Sequence, residues 1–408
     1  MQVSEAAGKE QNFSPFDLSC MKRAFALAKR GQGKTSPNPM VGAVLVKDRR
    51  IIGEGWHRRH GQAHAEVEAV QEALTAGHSL AGSELYCTLE PCCFTASDKL
   101  TPPCTDLIEK NGIKKVYIAN LDPNKKVSGK GVAMLEKSGI EVITGLNAEL
   151  GEELNRAFFT FHRLGRPYVH LKLAQTLDGK IAALDGSSRW ISCEASRRMV
   201  HGLRACYDAV LVGGGTALAD DPELTVRLVK GRNPARVVLD SRLSIKETAK
   251  LFSRPQPEPA GESQKNRCVP LGKTIIIHRD DASPKKAEQL KALGAILIPL
   301  PLNTGQKVKA NTGIPIAAAL QALAEQRVQS VLVEGGARVF SSFLREGLWE
   351  RLTIVIAPLI LGSGINSVSD LGLNSMSQAI RFESGTFRRL GAQTVFEVNR
   401  EEGVCSQE

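Results

Sequence analysis

The sequence predicts two α/β domains joined at residues 163–167, and three observations lead to that prediction. The chain has 408 residues, which exceeds the usual size of a single domain. Predicted strands and helices alternate in both halves, a pattern typical of sheets covered by helices. The short segment RLGRP at 163–167 interrupts this alternation. We therefore expect a disordered arm at 1–14, a first domain over 15–163 and a second domain over 166–408.

The first half opens with a predicted helix. Residues 14–17, Ser-Pro-Phe-Asp, fit an N-cap, a proline at N1 and an acidic N3 residue, and the helix is expected to end near Gly31. A later helix over 64–76 should bury a stripe of Val67, Val70 and Leu74. The remaining predicted elements complete a three-layer α/β domain: strands at 40–48, 50–57, 83–90, 114–119 and 140–144, and helices near 104–111, 130–138 and 148–162.

The second half restarts the alternation after the junction. Helical segments are expected between several of its strands, so this half is also α/β. Its predicted strands lie at 168–174, 208–214, 235–240, 273–278, 295–300, 330–336, 352–358 and 394–398.

Composition narrows the class of protein. The formal net charge is +10 with dispersed basic residues, which suits an anionic ligand, either nucleic acid or a phosphorylated metabolite. Nine cysteines without an export signal predict a reducing cytoplasm rather than a disulfide framework. No run of about 18 apolar residues is present, so the sequence predicts no membrane span.

A histidine and a glutamate lie two positions apart at a predicted helix start, as His64 and Glu66. Two residues of helix turn through about 200°, so the two side chains cannot share one helix face. Downstream, LEPCC at 89–93 and TPPC at 101–104 supply thiols. One histidine with two cysteines leaves an open tetrahedral position, as in catalytic zinc sites, where zinc lowers the pKa of bound water to about 7. The H-x-E…P-C pattern thus predicts a zinc deaminase in which Glu66 shuttles protons without binding the metal.

Spacing alone leaves alternatives open at this site. It does not choose between Cys92 and Cys93, and both could join Cys104 and His64 in a closed structural zinc site. Three nearby side chains are not expected to bind metal, because they are predicted to be a core thiol and two surface or substrate-side histidines: Cys87, His57 and His60.

Five segments in order resemble the deaminase half of the bifunctional riboflavin-biosynthesis deaminase/reductase family, and the resemblance continues over nearly the whole chain. They are TSPNPMVGAVLV at 35–46, GEGWH at 53–57, HAEVEA at 64–69, TLEPC at 88–92 and TPPC at 101–104. The resemblance implies a cytidine-deaminase-like first domain with Glu66 as the proton shuttle. It further implies a substrate pocket at Asn38 and three zinc ligands: His64, Cys92 and Cys104. One departure is the loop CFTASDKL at 93–100, which is longer than in the family and lacks its histidines; Lys99 is a candidate for the missing basic contact.

Two glycine-rich turns follow predicted strands in the second half, at 212–222 and 333–343. Their backbone N–H groups could cradle a phosphate, although neither matches G-x-G-x-x-G. With LKLAQTLDGKIA at 171–182 and SRWIS at 188–192, they resemble the family's dihydrofolate-reductase-like, NADPH-dependent half. Thr176 stands where the family often has serine. The implied NADPH contacts are Ala174, Trp190, Thr216, Asp220, Ser241 and the turn Gly336, Ala337, Arg338, Val339, Phe340, Ser341 and Ser342.

The same resemblance implies contacts to a ribose phosphate substrate. They are Ser188, Arg204, Leu224, Arg227 and Glu334. Two arginines suit a phosphate, because the guanidinium fork matches its oxygens. Asp220 and Glu334 are candidate proton donors for the reduction.

Two rival functions are weaker. A nucleic-acid base deaminase would need a clustered basic face and stacking aromatics, whereas aromatic residues make up 5% here. A non-catalytic, zinc-stabilised binding protein would give Glu66 no role. We therefore expect a cytoplasmic homo-oligomeric enzyme that uses zinc and NADPH on a small phosphorylated pyrimidine, with no nucleic-acid partner and no membrane partner.

Overall fold

The computed structural model describes residues 13–94, 102–125, 127–188, 191–253, 270–301, 313–382 and 384–400. The chain divides into two compact units, Met1–Arg163 and Leu164–Glu408. Residues 1–12 of the predicted arm lie outside the described residues. The last two arm residues belong to the fold, because Phe13 packs against the core and the Ser14 side chain caps the first helix.

The first unit is a three-layer α/β domain. Its five strands are ordered β2-β1-β3-β4-β5, with β1 antiparallel to β2 and β3, and β3, β4 and β5 parallel. Helices α2, α3 and α4 cover one face of this sheet, and α1 and α5 pack on the other. The elements are α1 Pro15–Ala28, β1 Gly42–Lys47, β2 Arg50–Trp56, α2 Ala65–Thr75, β3 Glu84–Leu89, α3 Cys104–Lys110, β4 Lys115–Asn120, α4 Lys130–Lys137, β5 Glu141–Thr144, α5 Ala148–Leu154 and α6 Arg156–Leu164.

Local sequence explains the start of this unit. Ser14 and Asp17 form the predicted capping box, in which each side chain accepts the backbone N–H of the other residue. A single 3₁₀ turn, Lys29–Gly31, extends α1 to the predicted end. Asp48 and Arg49 both have positive φ, 49° and 58°, which suits the tight turn of the β1–β2 hairpin.

Helix α2 lies unusually close to β2, and this corrects the predicted apolar stripe. A Cβ atom on Gly55 would lie 2.1 Å from the Ala65 carbonyl oxygen, and one on Gly53 would lie 2.3 Å from that of Ala69. Only small side chains fit so near an adjacent backbone, so alanines occupy the buried face of α2. Val70 is buried as predicted and Val67 is half-buried, but Leu74 is 47% exposed, and its predicted burial was wrong. The close contact fixes the first turn of α2, which carries the candidate catalytic residues.

The second unit contains a nine-stranded sheet ordered β11-β10-β9-β8-β12-β6-β13-β16-β15. The strands from β11 to β13 are parallel to their neighbours, while β16 pairs antiparallel with β13 and β15. Helices α10 and α11 pack on one face and α8 and α9 on the other. The strands are β6 Tyr168–Thr176, β7 Lys180–Ala182, β8 Ala209–Gly213, β9 Ala235–Leu239, β10 Thr274–Arg279, β11 Ile296–Leu300, β12 Ser330–Gly335, β13 Arg351–Ala357, β14 Ile365–Asn366, β15 Gly385–Leu390 and β16 Gln393–Asn399. The helices are α7 Glu194–Cys206, α8 Gly214–Asp220, α9 Pro284–Ala292, α10 Ile316–Glu325 and α11 Ala337–Glu346.

Within the described part of the chain, no helix is both long enough and apolar enough to cross a membrane.

Candidate active sites

Three side chains of the first unit form a group suited to a metal ion. The Nδ1 atom of His64 lies 3.5 Å from the Sγ atom of Cys92 and 3.3 Å from that of Cys104, and the three donor atoms all lie within 4.8 Å of one another. One imidazole nitrogen and two sulfurs are donors that zinc prefers, and three of them leave a position open. Among the described residues Cys93 does not belong to this group, so the geometry favours Cys92 where spacing could not choose.

Two members of the group stand at helix starts, and Cys92 lies in the loop after β3. His64 is the N-cap of α2, with an extended backbone (φ −74°, ψ 162°), so its side chain does not follow the helical direction of Glu66. Cys104 is the first residue of α3, and its N–H donates to the Cys92 carbonyl oxygen at 2.9 Å. His64 therefore precedes the helix and Glu66 lies within it, so the two side chains need not share a helix face.

Glu66 lies beside the group and is 3% exposed. Burial raises the pKa of this carboxyl, while His64 and a hydrogen bond with Cys104 act in the opposite direction. A raised pKa makes a carboxyl a better proton acceptor, which suits a group that must take up and deliver protons in general acid–base catalysis.

The His57 ring orients the Asn38 side chain through a hydrogen bond. Its Nδ1 atom lies 2.9 Å from the Ala63 carbonyl oxygen, and its Nε2 atom lies 3.1 Å from Nδ2 of Asn38. Burial lowers the pKa of His57 to about 4, so the ring is neutral, donates from Nδ1 and accepts the Asn38 amide at Nε2. The carbonyl oxygen of Asn38 is then the amide atom suited to a substrate. A surface position for His57 was wrong, because the ring is 2% exposed; His60 is half-buried.

One further residue of the first unit, Cys87, was predicted correctly from sequence, and another, Glu90, was not identified. Cys87 is fully buried on β3, as expected for a core thiol. Glu90 was not singled out, yet its buried carboxylate accepts four backbone N–H groups, from Asp122, Gly129, Gly131 and Val132. The Glu-Pro-Cys sequence was the available signal, since an acid two residues before a ligand can anchor the ligand loop. Of the altered loop at 93–100, residues 95–100, which include Lys99, lie outside the described residues.

The predicted cofactor residues that the structure describes gather at one edge of the sheet in the second unit. Parallel strands meet there at their carboxyl ends, where α/β sheets bind ligands. The two glycine-rich turns touch, because a Cβ on Gly336 would lie 2.7 Å from Oγ1 of Thr216. Gly336 also has φ 72°, which favours glycine. Ala174 lies on β6, Thr216 and Asp220 on α8, Ser241 after β9, and Gly336 to Ser342 at the start of α11.

The side chains of three predicted ligand contacts are buried. Phe340 and Ser341 are buried within α11, and the Phe340 N–H already donates to the Gly336 carbonyl oxygen at 3.0 Å. Leu224 is buried in the core and has φ 54°. Ser188 is half-buried, and Trp190 lies outside the described residues.

Arg204 and Glu334 bind each other. The Nε and Nη2 atoms of Arg204 donate to the two carboxylate oxygens of Glu334 at 2.6 and 2.8 Å, and the two side chains are 11% and 9% exposed. The remaining Nη1 atom donates to the Thr225 carbonyl oxygen at 3.0 Å. Arg227, by contrast, has a side chain 52% exposed, with long contacts of 3.4 Å from Nη1 to the Glu223 carboxylate and to the Thr225 hydroxyl. Of the two predicted phosphate ligands, Arg227 has the freer guanidinium.

Two residues beside this pair were missed from sequence. Lys172 is buried on β6, and its charge interacts with Glu334 and Arg204; burial lowers the pKa of its ammonium group. A lysine inside the otherwise apolar strand YVHLKLA was the signal. His201 is buried on α7, and its Nδ1 atom accepts the Arg227 N–H at 3.0 Å. Burial lowers the pKa of His201 to about 4, with Arg204 and Arg227 adding to the effect.

Comparison with known proteins supports the predicted family of both halves of the chain. Residues 15–120 match the cytidine and deoxycytidylate deaminase zinc-binding region, and residues 167–396 match the RibD C-terminal domain. The riboflavin biosynthesis protein RibD of Aquifex aeolicus is 41% identical over 380 residues, which cover 93% of this chain and 97% of the relative. The chain belongs to the RibD family. RibD of Escherichia coli is 34% identical over 385 residues, covering 91% and 96%.

Solved structures agree over the same length. A diaminohydroxyphosphoribosylaminopyrimidine deaminase/5-amino-6-(5-phosphoribosylamino)uracil reductase from Thermotoga maritima has a TM-score of 0.77 at 37% identity, covering 94% of this chain and 98% of that one. RibD of Acinetobacter baumannii has a TM-score of 0.79 at 34% identity, covering 94% and 99%. The predicted family, both domain folds, the deaminase and reductase activities and the cofactors zinc and NADPH are confirmed.

Proposed function

We propose that this RibD-family enzyme performs two consecutive steps on one pyrimidine. The first removes the 2-amino group of 2,5-diamino-6-(5-phosphoribosylamino)pyrimidin-4(3H)-one by hydrolysis. The second reduces the ribose of 5-amino-6-(5-phosphoribosylamino)uracil to a ribityl chain. The observation that supports the first step is the group His64, Cys92 and Cys104 with the buried Glu66 beside it.

In the first step, the chain's own residues bind and move protons. His64, Cys92 and Cys104 would hold zinc, which when bound supplies a Lewis acid and a water of lowered pKa. Glu66 accepts a proton as water adds to the ring carbon that bears the 2-amino group. It passes this proton to the ring nitrogen, then takes the proton of the added hydroxyl group and delivers it to the leaving amine, which departs as ammonia as the carbonyl forms. The Asn38 carbonyl oxygen, oriented by His57, accepts a hydrogen bond from the substrate.

In the second step, NADPH supplies the hydride, and the residues at the carboxyl edge of the second sheet position it over the sugar. The hydride adds to C1′, the bond between C1′ and the ring oxygen breaks, and that oxygen takes a proton. Arg227 binds the phosphate of the substrate. We propose Lys172 as the proton donor in place of Asp220 or Glu334, because Asp220 is exposed and Glu334 is engaged by Arg204, whereas burial favours loss of the Lys172 proton.

Substitution Glu66→Gln tests the proposed role of this side chain. The amide cannot shuttle protons, so ammonia release should fall by about 10²–10⁴-fold. Zinc content by metal analysis and NADPH oxidation with the deaminated substrate should match the wild type. Ammonia release near the wild-type rate would assign the proton transfer to another residue.

We also propose the domain boundary predicted from sequence, since each site draws its described residues from one unit. A fragment of residues 166–408 should fold and oxidise NADPH with the deaminated substrate in the absence of zinc. In the full chain, Arg227→Ala should raise the substrate KM about tenfold or more, since a hydrogen bond to a charged group contributes about 1.5–3 kcal/mol, and leave the NADPH KM unchanged. An insoluble fragment would place part of its core before residue 166.

Homo-oligomer formation is a further proposal, supported by apolar side chains exposed around β7 and β14. Leu177, Leu184, Ile360 and Ile365 are 61%, 77%, 74% and 44% exposed, and large exposed apolar patches often mark protein interfaces. Light scattering should give at least twice the chain mass, and Leu184→Glu with Ile360→Glu should reduce it.

We propose a cytoplasmic location, since the cysteines in the described ranges are free thiols.

A further inference from the structure

Asn155 connects a distant part of the first unit to the backbone that precedes β1. Its Oδ1 atom accepts the Met40 N–H at 2.8 Å, and its Nδ2 atom donates to the Met40 carbonyl oxygen at 2.9 Å. The side chain is buried and lies 115 residues away in sequence. One planar amide therefore fixes both polar groups of a single residue, much as a neighbouring strand would.

The bonded segment needs such a partner because it lies outside the sheet ladder. Strand β1 begins at Gly42, and Val41 is already bound through its carbonyl oxygen by the His57 N–H at 2.9 Å. The residues from Met40 to Gly42 are thus held in succession by Asn155, His57 and the Thr88 hydroxyl, which accepts the Gly42 N–H at 3.1 Å.

Asn38 is connected stiffly to this anchor. Prolines 37 and 39 flank it, and proline fixes its own φ and restricts the residue before it. A shift of Met40 is therefore transmitted to Asn38 rather than absorbed by bond rotation. The Asn38 amide is held against His57 by one contact of 3.1 Å, which a small displacement would lengthen.

The helical segment around Asn155 is interrupted at this residue. The sequence predicts one helical stretch over 148–162, but the structure divides it into α5 and α6 with Asn155 between them at φ −110° and ψ 26°. The apolar neighbours Leu89, Phe158 and Phe159 form a small core cluster beside Val41. A residue needed only for packing there would be apolar; a buried amide indicates that its hydrogen bonds matter.

We propose that Asn155 is a positioning residue of the deaminase half, which holds Met40 and thereby places Asn38 against the pyrimidine. This inference rests on the proposed deamination. Asn155 touches neither substrate nor metal and acts through the segment 38–40.

Three substitutions in the full-length zinc enzyme test the proposal. Asn155→Ala removes both bonds, Asn155→Asp keeps the shape but sets a carboxylate oxygen against the Met40 carbonyl, and Asn155→Gln keeps both groups on a longer arm. Glu153→Ala is the matched control, because Glu153 is two residues away with a side chain 67% exposed. Ammonia release, NADPH oxidation with deaminated substrate, zinc content and amide hydrogen exchange over 36–42 are measured for each.

For Asn155→Ala and Asn155→Asp, the substrate KM of deamination should rise about tenfold or more with a smaller change in kcat, the pattern of weakened substrate binding. Asn155→Gln should recover part of the loss. Exchange at the Met40 amide should become faster, while zinc content and NADPH oxidation should equal those of Glu153→Ala. If Asn155→Ala does not fold, the Asp and Gln variants decide by the same measurements.

Unchanged exchange at Met40, or an unchanged deamination KM with faster exchange, would overturn the positioning role. A purely structural role would lower thermal stability in the three variants without this KM change, and would also overturn it. If the wild type released no ammonia while exchange at Met40 still rose, the proposed deamination would fail and the anchoring of the loop would stand.

Discussion

The buried pair of Arg204 and Glu334 permits a quantitative prediction. The two side chains are 11% and 9% exposed and share two hydrogen bonds. Removing one partner of a buried pair leaves an uncompensated charge and costs about 3–5 kcal/mol. For a unit of 150–250 residues, 1 kcal/mol shifts the Tm by about 2–4 °C. Arg204→Met should therefore lower the Tm of the reductase unit by roughly 6–20 °C.

A double-mutant cycle separates the pair from its surroundings. The double variant Arg204→Met, Glu334→Gln should lose less stability than the sum of the single variants, because neither buried charge remains. Lys172 then has no carboxylate partner, and its pKa should fall further, because the Glu334 charge that raises it has a larger effect than the Arg204 charge that lowers it. Arg227→Met is the control, since that side chain is 52% exposed and surface substitutions usually change stability by less than about 0.5 kcal/mol.

Residual activity after heating is a suitable assay, because the two halves of the full chain report separately. NADPH oxidation should be lost at lower temperature in Arg204→Met, while ammonia release should follow the wild-type temperature profile. A destabilisation below about 1 kcal/mol, or strict additivity in the double variant, would refute the assignment of a buried, coupled ion pair.

Three further predictions concern packing, metal binding and pH. Gly55→Ala should displace the first turn of α2 and reduce ammonia release with NADPH oxidation intact, because a Cβ would lie 2.1 Å from the Ala65 carbonyl oxygen; equal loss of both activities would indicate global unfolding instead. Cys92→Ser should lose zinc by metal analysis whereas Cys93→Ser keeps it, and full occupancy in Cys92→Ser would contradict the ligand assignment. His170 is buried between the hydroxyls of Tyr207 and Thr353, and burial lowers its pKa from 6.5 to about 3. The unfolded chain therefore binds this proton first as pH falls, so stability present above pH 6.5 should decline between about pH 6.5 and 3, by up to about 1.4 kcal/mol per pH unit. The decline in the unfolding free energy of the reductase unit should be shallower in His170→Gln, and an equal slope would show that His170 does not contribute.

Much of the fold could be predicted because its local patterns agree with the final packing. The Ser14–Asp17 capping box starts α1 as expected. The apolar stripe of α2 was predicted only in part, because Val70 is buried as expected whereas the exposure of Leu74 follows from the approach of Gly53 and Gly55 on another strand. Periodicity describes one helix and contains no information about how closely a neighbour packs.

The candidate sites divide in the same way. His64 and Glu66 could be found from a short motif, but the choice of Cys92 over Cys93 needed the loop geometry between β3 and α3. Asn155 could not be found from local sequence, because its function depends on a backbone segment 115 residues away.

The most direct test of the two-step function is the ratio of ammonia to oxidised NADPH on the diaminopyrimidine ribose phosphate. The wild type should release ammonia first and then oxidise one NADPH for each ammonia. Glu66→Gln should do neither with this substrate, yet should oxidise NADPH normally with the deaminated compound. NADPH oxidation by Glu66→Gln on the diaminopyrimidine, without ammonia release, would contradict the order of deamination before reduction.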